Sequence, residues 1–304
     1  MERMLQNLRE SYCSHAARGA EKVRRGLFHE ALGEYIEAHD IARMIGDAEM
    51  VFEAISNLSM VRLEIGEVRS AQKGLREIIL RSRNERVVLG ASYNLAVSLR
   101  KQGNFARAFS YARRAMEIAK RRREISSLAM CHNLLGNISL SQSLLDQALR
   151  EYRRALALRR REKGDNRFSL AILKENIGYC LLLRRQLRRG VRWIEEALRL
   201  AEETGDRRCR TDCLQDLSYA RMRLREYADA ARLGEKALEM ALAEGYADIE
   251  KNCYYLLGEI AHLVGDSERR DQFFNRLQKQ YPEMPFLRDF LCAVDVSGII
   301  TLKA

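Results

Sequence analysis

Small and apolar residues recur along the chain at a fixed helical spacing. One small residue stands among bulky apolar residues in each of seven segments, at intervals of 37 to 42 positions: Gly19, Ser59, Ala96, Gly136, Gly178, Ser218 and Gly258. Twelve positions after each comes a residue that is small in all but the last segment: Ala31, Ala71, Ala108, Ala148, Gly190, Ala230 and Arg270. Small residues are needed where two helix axes come close, so this pattern predicts seven helical hairpins.

Turn signals fall between the two helices of each predicted hairpin. The expected turns are Arg25-Gly26, Ile65-Gly66, Gln102-Gly103, Gln142-Ser143, Arg184-Arg185, Leu224-Arg225 and Val264-Gly265. Between hairpins, pairs such as Gly46-Asp47 and Gly205-Asp206 predict the end of one helix and a side-chain cap on the next. Residues 1–12 continue the apolar helical spacing and are expected to lengthen the first helix.

The seventh segment carries the fullest motif, and the fourth also matches it well. The fourth contains Leu135-Gly136, Ala148, Tyr152 and Ala155, and the seventh contains Tyr254, Leu257-Gly258, Phe274 and Pro282. With these residues the chain resembles an extended tetratricopeptide repeat (TPR) protein, with repeats of about 40 residues similar to those of kinesin light chains and bacterial peptide-pheromone receptors. The resemblance implies an all-α fold, a right-handed α-solenoid of about seven TPR helical hairpins with a C-terminal cap.

The predicted boundaries follow the repeat spacing. A TPR solenoid is expected over 1–285 and a capping tail over 286–304, with repeats near 11–45, 51–82, 88–122, 128–163, 170–204, 210–244 and 250–282. The tail is apolar at Phe286, Phe290 and Val294, and Val296 to Leu302 reads as a short β-like segment. Three roles stay open for it: a cap on the last hairpin, a segment folded back into the groove, or a docking element for a partner.

Composition narrows the class of protein. The chain is 47% hydrophobic and 31% charged with two prolines, which suits long amphipathic helices. Its seven cysteines form no CxxC pair, and the chain has neither a signal-like start nor a run of about 18 apolar residues. These features predict a soluble, cytoplasmic protein that does not enter a membrane.

No catalytic constellation stands out, so we predict a non-enzymatic protein without a cofactor. Cys209 and Cys213 lie four residues apart on one predicted helix and could supply two metal ligands, and Cys131-His132 could supply others. Small buried cysteines are far commoner than such a site, so we predict no metal.

A polar column lies two residues before the small residues, at Asn57, Asn94, Asn176 and Asp216. Helical spacing places it on the inner face of the first helix of each hairpin. In TPR proteins this face lines a concave groove, and the resemblance implies that such side chains bond the backbone of an extended peptide. An amide suits this task because it both donates and accepts. Hydrogen bonding between helices of the array is the alternative. Neighbouring positions complete the predicted groove: Tyr93, Asn133, Asn137, Tyr179, Tyr219 and Tyr255.

The net charge of +11 comes mainly from arginine, which supplies 43 of the 53 basic residues. Many arginines fall in connections and second helices, where they predict a basic ridge that includes Arg121, Arg122, Arg123, Arg153, Arg160, Arg185 and Arg189. Such a ridge either solvates the surface or binds nucleic acid through phosphate contacts.

The main hypothesis is a protein-protein interaction adaptor or scaffold that binds a peptide or protein segment in the TPR groove. Nucleic-acid or ribonucleoprotein binding through the basic ridge is a less favoured alternative. A ligand-responsive regulatory sensor is a third. The sequence leaves the partner, the pathway and the oligomeric state open.

Overall fold

This computed structural model describes residues 2–293, which form α-helices joined by short turns. The described residues contain no strand. The helices are α1 (Glu2–Arg24), α2 (Phe28–Ile45), α3 (Ala48–Glu64), α4 (Val68–Arg81), α5 (Glu85–Lys101), α6 (Phe105–Arg121), α7 (Ile125–Ser141), α8 (Leu145–Arg159), α9 (Arg167–Leu183), α10 (Leu187–Thr204), α11 (Arg207–Arg223), α12 (Tyr227–Glu244), α13 (Ala247–Val264), α14 (Ser267–Lys279) and α15 (Leu287–Ala293). The all-α prediction is confirmed.

The seven predicted hairpin turns share one backbone conformation. The second residue of each turn has a positive φ, between 55° and 90° in all cases: Gly26, Gly66, Gly103, Ser143, Arg185, Arg225 and Gly265. Glycine adopts this left-handed region without steric cost, whereas a residue with a Cβ atom is disfavoured there. Three turns therefore hold a strained residue where the other four hold glycine.

The connections between hairpins use the predicted stop and start signals. Gly46 takes the left-handed conformation after α2, and the Asp47 carboxylate accepts hydrogen bonds from the backbone N–H groups of Glu49 (3.0 Å) and Met50 (3.2 Å). Gly205 and Asp206 repeat this arrangement before α11. These caps satisfy helix-end groups that have no partner within the helix.

Close approach of paired helices explains the recurring small residues. A Cβ atom added to Gly178 on α9 would lie 2.5 Å from the Ile194 side chain and 3.0 Å from the Gly190 carbonyl oxygen. One added to Gly258 on α13 would lie 2.3 Å from the Phe274 ring. At these positions only glycine allows the observed helix separation.

The chain divides into two compact units, which we call unit 1 (Met1–Ile138) and unit 2 (Ser139–Ala304). In unit 1 the core of the later helices contains buried Leu75, Leu95 and Leu134, and separate smaller clusters lie around Tyr12 and Tyr35. In unit 2 one continuous core runs from Leu140 to Leu291. Every helix of unit 2 therefore contributes to a single apolar cluster.

The short helix α15 packs on α14. The Arg288 guanidinium pairs with Asp271 at 2.9 Å, and the Arg288 backbone N–H donates to the Gln278 Oε1 atom at 3.1 Å. Leu291 is buried, while Phe286 and Phe290 are exposed. The predicted β-like segment from Val296 to Leu302 lies outside the described residues, and the capping role of the tail stays a prediction.

Candidate functional site

In unit 1 the polar column is open to solvent. Asn57 on α3 and Asn94 on α5 are half-buried, and each stands two residues before a small residue of its helix. Neither amide forms a hydrogen bond with another described residue. Helices α3 and α5 contact each other directly. Two amides that can both donate and accept therefore lie on neighbouring helices, with their hydrogen-bonding groups available.

Other predicted groove residues of unit 1 are also partly accessible. Tyr93 on α5 and Asn133 and Asn137 on α7 are half-buried, and each interacts with other groups of the chain. A Cβ atom added to Gly90, one turn before Asn94, would meet nothing within 4 Å. The space next to Gly90 is thus open.

In unit 2 the equivalent residues lie in the core. The exposed fractions are 8% for Asn176, 0% for Asp216, 1% for Tyr179, 7% for Tyr219 and 5% for Tyr255. A ligand could not touch these side chains without moving their neighbours. Unit 2 therefore does not present these five predicted residues as an open surface, and only the unit 1 members of the predicted groove are accessible.

Hydrogen bonds between helices occupy part of this buried layer. The Asn252 amide on α13 donates to the Gln215 Oε1 atom on α11 at 3.0 Å, and the Gln215 amide donates to Asp216 at 3.5 Å. Gln215 was missed by the sequence analysis. It stands one residue before the polar column, in a second column that also holds Tyr93, Asn133 and Tyr255, which is the signal that could have identified it.

Two carboxyl groups lie one turn apart in α11. The pKa of Asp212 is raised to about 6, with burial as the largest cause; Arg208 opposes this effect, and the Asp248 carboxylate adds to it. Burial also raises the pKa of Asp216 well above its usual value, with Asp212 as a second cause. The Arg208 guanidinium pairs with Asp212 and Asp248 and stacks on the Tyr246 ring, 4.8 Å from its centroid. This cluster links α11 to α13 through charge.

The predicted basic ridge divides into paired and unpaired arginines. Arg121 pairs with Glu85 and Arg122 with Glu124, both at 2.6 Å, and Arg189 donates to Gln186 at 2.8 Å. Other members form no ion pair within residues 2–293 and are exposed: Arg123, Arg153, Arg160 and Arg185. Arg123 and Arg185 also have positive φ angles of 55° and 58°.

The described residues contain neither a metal-binding cluster nor a helix that could span a membrane. Cys209 and Cys213 are buried, and the hydrogen bond of the Cys213 thiol to Cys209, together with burial, raises the Cys213 pKa well above its usual value. Residues 2–293 contain no group of three or more His, Cys, Asp or Glu side chains that could hold a metal ion. Among the same residues, no helix combines the length and apolar character needed to cross a membrane.

The chain resembles known proteins at the level of repeat and fold. Residues 88–161 match the tetratricopeptide repeat family model. The structure of the apo form of RapI aligns with a TM-score of 0.71 at 14% identity, over 90% of this chain and 98% of that one. A Rap protein complexed with competence and sporulation factor aligns with a TM-score of 0.70 at 14% identity, over 94% of this chain and 81% of that one.

A larger protein contains a similar array. A signal transduction ATPase with numerous domains and a tetratricopeptide repeat sensor, from Pyrococcus horikoshii, aligns with a TM-score of 0.65 at 17% identity over 93% of this chain. This chain spans 44% of the length of that protein. A comparison with curated protein sequences found no match. The chain is thus similar to tetratricopeptide repeat proteins in one matched segment and in its helical fold, which agrees with the resemblance drawn from its motifs.

Proposed function

We propose that this protein is a non-enzymatic scaffold that binds an extended peptide segment of a partner on the α3–α5 face of unit 1. The observation that carries the proposal is the pair of half-buried amides, Asn57 and Asn94, whose hydrogen-bonding groups have no partner among the described residues. A tetratricopeptide repeat fold and its Rap-like neighbours support the broader role of an interaction scaffold. The complex of one such neighbour with competence and sporulation factor supports a ligand on this fold.

The proposed mechanism is backbone recognition on a preformed surface. Each amide donates to a peptide carbonyl and accepts from a peptide N–H, so it holds the main chain without requiring a particular side chain. Tyr93, next to Asn94 on α5, and Asn133 and Asn137 on α7 would select the residues between the backbone contacts. Because the helices are already packed, binding requires little ordering of the protein.

The test begins with selection of binding peptides from a displayed library against the intact chain. Affinity of a selected peptide is then measured by fluorescence polarisation for the double variant Asn57→Ala/Asn94→Ala. The matched control is Asn7→Ala/Asn275→Ala, because these two asparagines are exposed and lie on α1 and α14. We expect the first variant to bind about tenfold or more weakly, since two net hydrogen bonds contribute about 1–3 kcal/mol.

A second arm separates backbone from side-chain recognition. Peptides N-methylated at single backbone positions should lose affinity for the unchanged protein at the positions that face Asn57 and Asn94. Equal affinity of the two double variants, or failure to select any peptide, would overturn the proposal.

A further inference from the structure

The outward sides of α8 and α10 in unit 2 carry a set of exposed arginines that we call the arginine face: Arg150, Arg153, Arg188, Arg192 and Arg199. On α10 the three arginines are four and seven residues apart, so they share one stripe of a helix with 3.6 residues per turn. The buried residues of α10, including Ile194 and Ala197, lie on its opposite side. Both α8 and α10 pack on α9, which leaves their arginines directed away from the core.

The acidic residues of these two helices are already engaged. All four acids of α10 pair with cations on α9 or α11. Glu195 pairs with Arg221 at 3.4 Å. The other three pairs are Glu196 with Lys174, Glu202 with Arg210 and Glu203 with Arg167. On α8, Glu151 pairs with Arg154 and Asp146 with Arg184. The carboxylates that could neutralise the arginine face are therefore directed elsewhere.

None of the five arginines forms an ion pair with another residue that the structure describes. Like charges one helical turn apart, such as Arg188 and Arg192, are unfavourable for the helix by a few tenths of a kcal/mol. An ordinary solvated face intersperses both signs of charge. The arginine face has no carboxylates available to balance its positive charge, and this favours a polyanionic partner.

We propose that the arginine face of unit 2 binds the phosphate backbone of a nucleic acid duplex without reading its sequence. A duplex carries one negative charge for every ~1.7 Å of its axis, so its phosphates can meet several exposed guanidinium groups at once. The planar guanidinium matches phosphate oxygens in a bidentate geometry that lysine cannot reproduce. Trp193, the one tryptophan of the chain, is half-buried beside Lys174, so it offers no free ring for stacking with a base.

The test measures binding of an RNA duplex and a DNA duplex of the same sequence, each of about 20 base pairs, by fluorescence anisotropy between roughly 50 and 200 mM salt. We expect both duplexes to bind, and the logarithm of the affinity to fall with the logarithm of the salt concentration with a slope of about −4.5, as expected when about five phosphates are contacted. Sequence changes in the duplex should leave the affinity unchanged.

The double variant Arg150→Gln/Arg192→Gln should bind about tenfold or more weakly. Its log–log slope against salt should be less negative by about 2, since each lost phosphate contact changes the slope by about 1. The control, Arg207→Gln/Arg269→Gln, removes the same net charge from two exposed arginines of unit 2 that pair with Glu244 and Glu235. An equal loss in both variants would show that only net charge matters and would overturn the proposal. So would binding of poly-glutamate through these arginines without binding of either duplex, since that result identifies an acidic protein as the partner.

Discussion

Asn94 in unit 1 and Asn176 in unit 2 occupy the same position of the repeat, two residues before the small residue of a first helix. Asn94 is half-buried with a free amide, whereas Asn176 is 8% exposed and interacts with other groups. Because both residues are asparagine, the difference in their burial comes from the neighbouring side chains. Small Gly90 precedes Asn94 by one turn, whereas Ile172 stands at that position before Asn176. The bulk of the surrounding layer determines whether a repeat position is a surface or part of the core.

The largest expected effect comes from placing a charge at each of the two positions. Asn176→Lys should lower the free energy of unfolding by about 3–4 kcal/mol, because it buries an unpaired ammonium group. Asn94→Lys should change it by less than about 1 kcal/mol, because a half-buried lysine can extend its charge into water. Urea denaturation followed by circular dichroism compares the two variants. Similar losses would mean that the layer is equally closed in both units.

Adding a methyl group tests the same contrast with less perturbation. Gly178→Ala should destabilise the protein by about 1–3 kcal/mol, since its Cβ atom would overlap the Ile194 side chain. Gly90→Ala should stabilise it by about 0.5–1 kcal/mol, because the space there is empty and alanine favours a helix. Thermal denaturation gives both values. The expected result is a difference in sign, and a loss at Gly90 would argue against open space in unit 1.

The pH dependence of stability should also differ between the units. The pKa of Asp212 is raised to about 6, so the folded state holds its proton where the unfolded state has lost it. Stability that is present below about pH 4 is therefore lost as the pH rises through 6, by up to about 3 kcal/mol. The urea midpoint of Asp212→Asn should therefore change less between pH 4.5 and pH 8 than the midpoint of the unchanged protein.

Glu34 in unit 1 provides the control for this measurement. Hydrogen bonds from Lys22 first, and from Arg18 and His15, lower its pKa to about 2. Its contribution to stability is thus complete above about pH 4.5 and is lost only as the pH falls through 2. Glu34→Gln should leave the slope between pH 5 and 8 unchanged, and an equal flattening in both variants would contradict the assignment to Asp212.

The smallest effect concerns the hairpin turns. Unit 1 places glycine at the positive-φ position of its turns at Gly26, Gly66 and Gly103, whereas unit 2 places Arg185 and Arg225 there in two of its turns. Arg225→Gly should raise the free energy of unfolding by about 0.5–1 kcal/mol through relief of the left-handed strain. Gly103→Arg should lower it by a similar amount. The two shifts in melting temperature should be opposite in direction, and parallel shifts would contradict this explanation.

The sequence predicted the repeat architecture because helix packing depends on local spacing. Gly178 and Gly258 mark close helix approaches, and the positive-φ residues fall at every expected hairpin turn, including Ser143 and the two arginines. These features depend on residues within a single hairpin. A pattern read along the chain therefore contains the information that fixes them.

The state of the groove could not be predicted in the same way. Burial of Asp216 and Tyr179 depends on side chains about 40 residues away, on the first helices of neighbouring hairpins. The Asn252 to Gln215 hydrogen bond joins two such helices. That bond lies beside the polar column and involves none of its members, so both interpretations of the column stay predictions, with peptide binding proposed for Asn57 and Asn94 in unit 1. The ion pairs formed by the acids of α10 likewise connect separate helices.

The hairpins keep a constant internal interval, but the connection between α8 and α9 extends from residue 160 to residue 166 and is longer than those at Gly46-Asp47 and Gly205-Asp206. Its residues Arg160, Arg161 and Lys163 are exposed, and Gly164 has a φ of 104°. Exposed segments of this kind accept new chain ends and inserted domains with little effect on the packed helices around them. A fluorescent reporter placed between Lys163 and Gly164, or a circular permutation opened there, should therefore leave each hairpin intact. This connection is the natural place from which to observe the protein in a living cell.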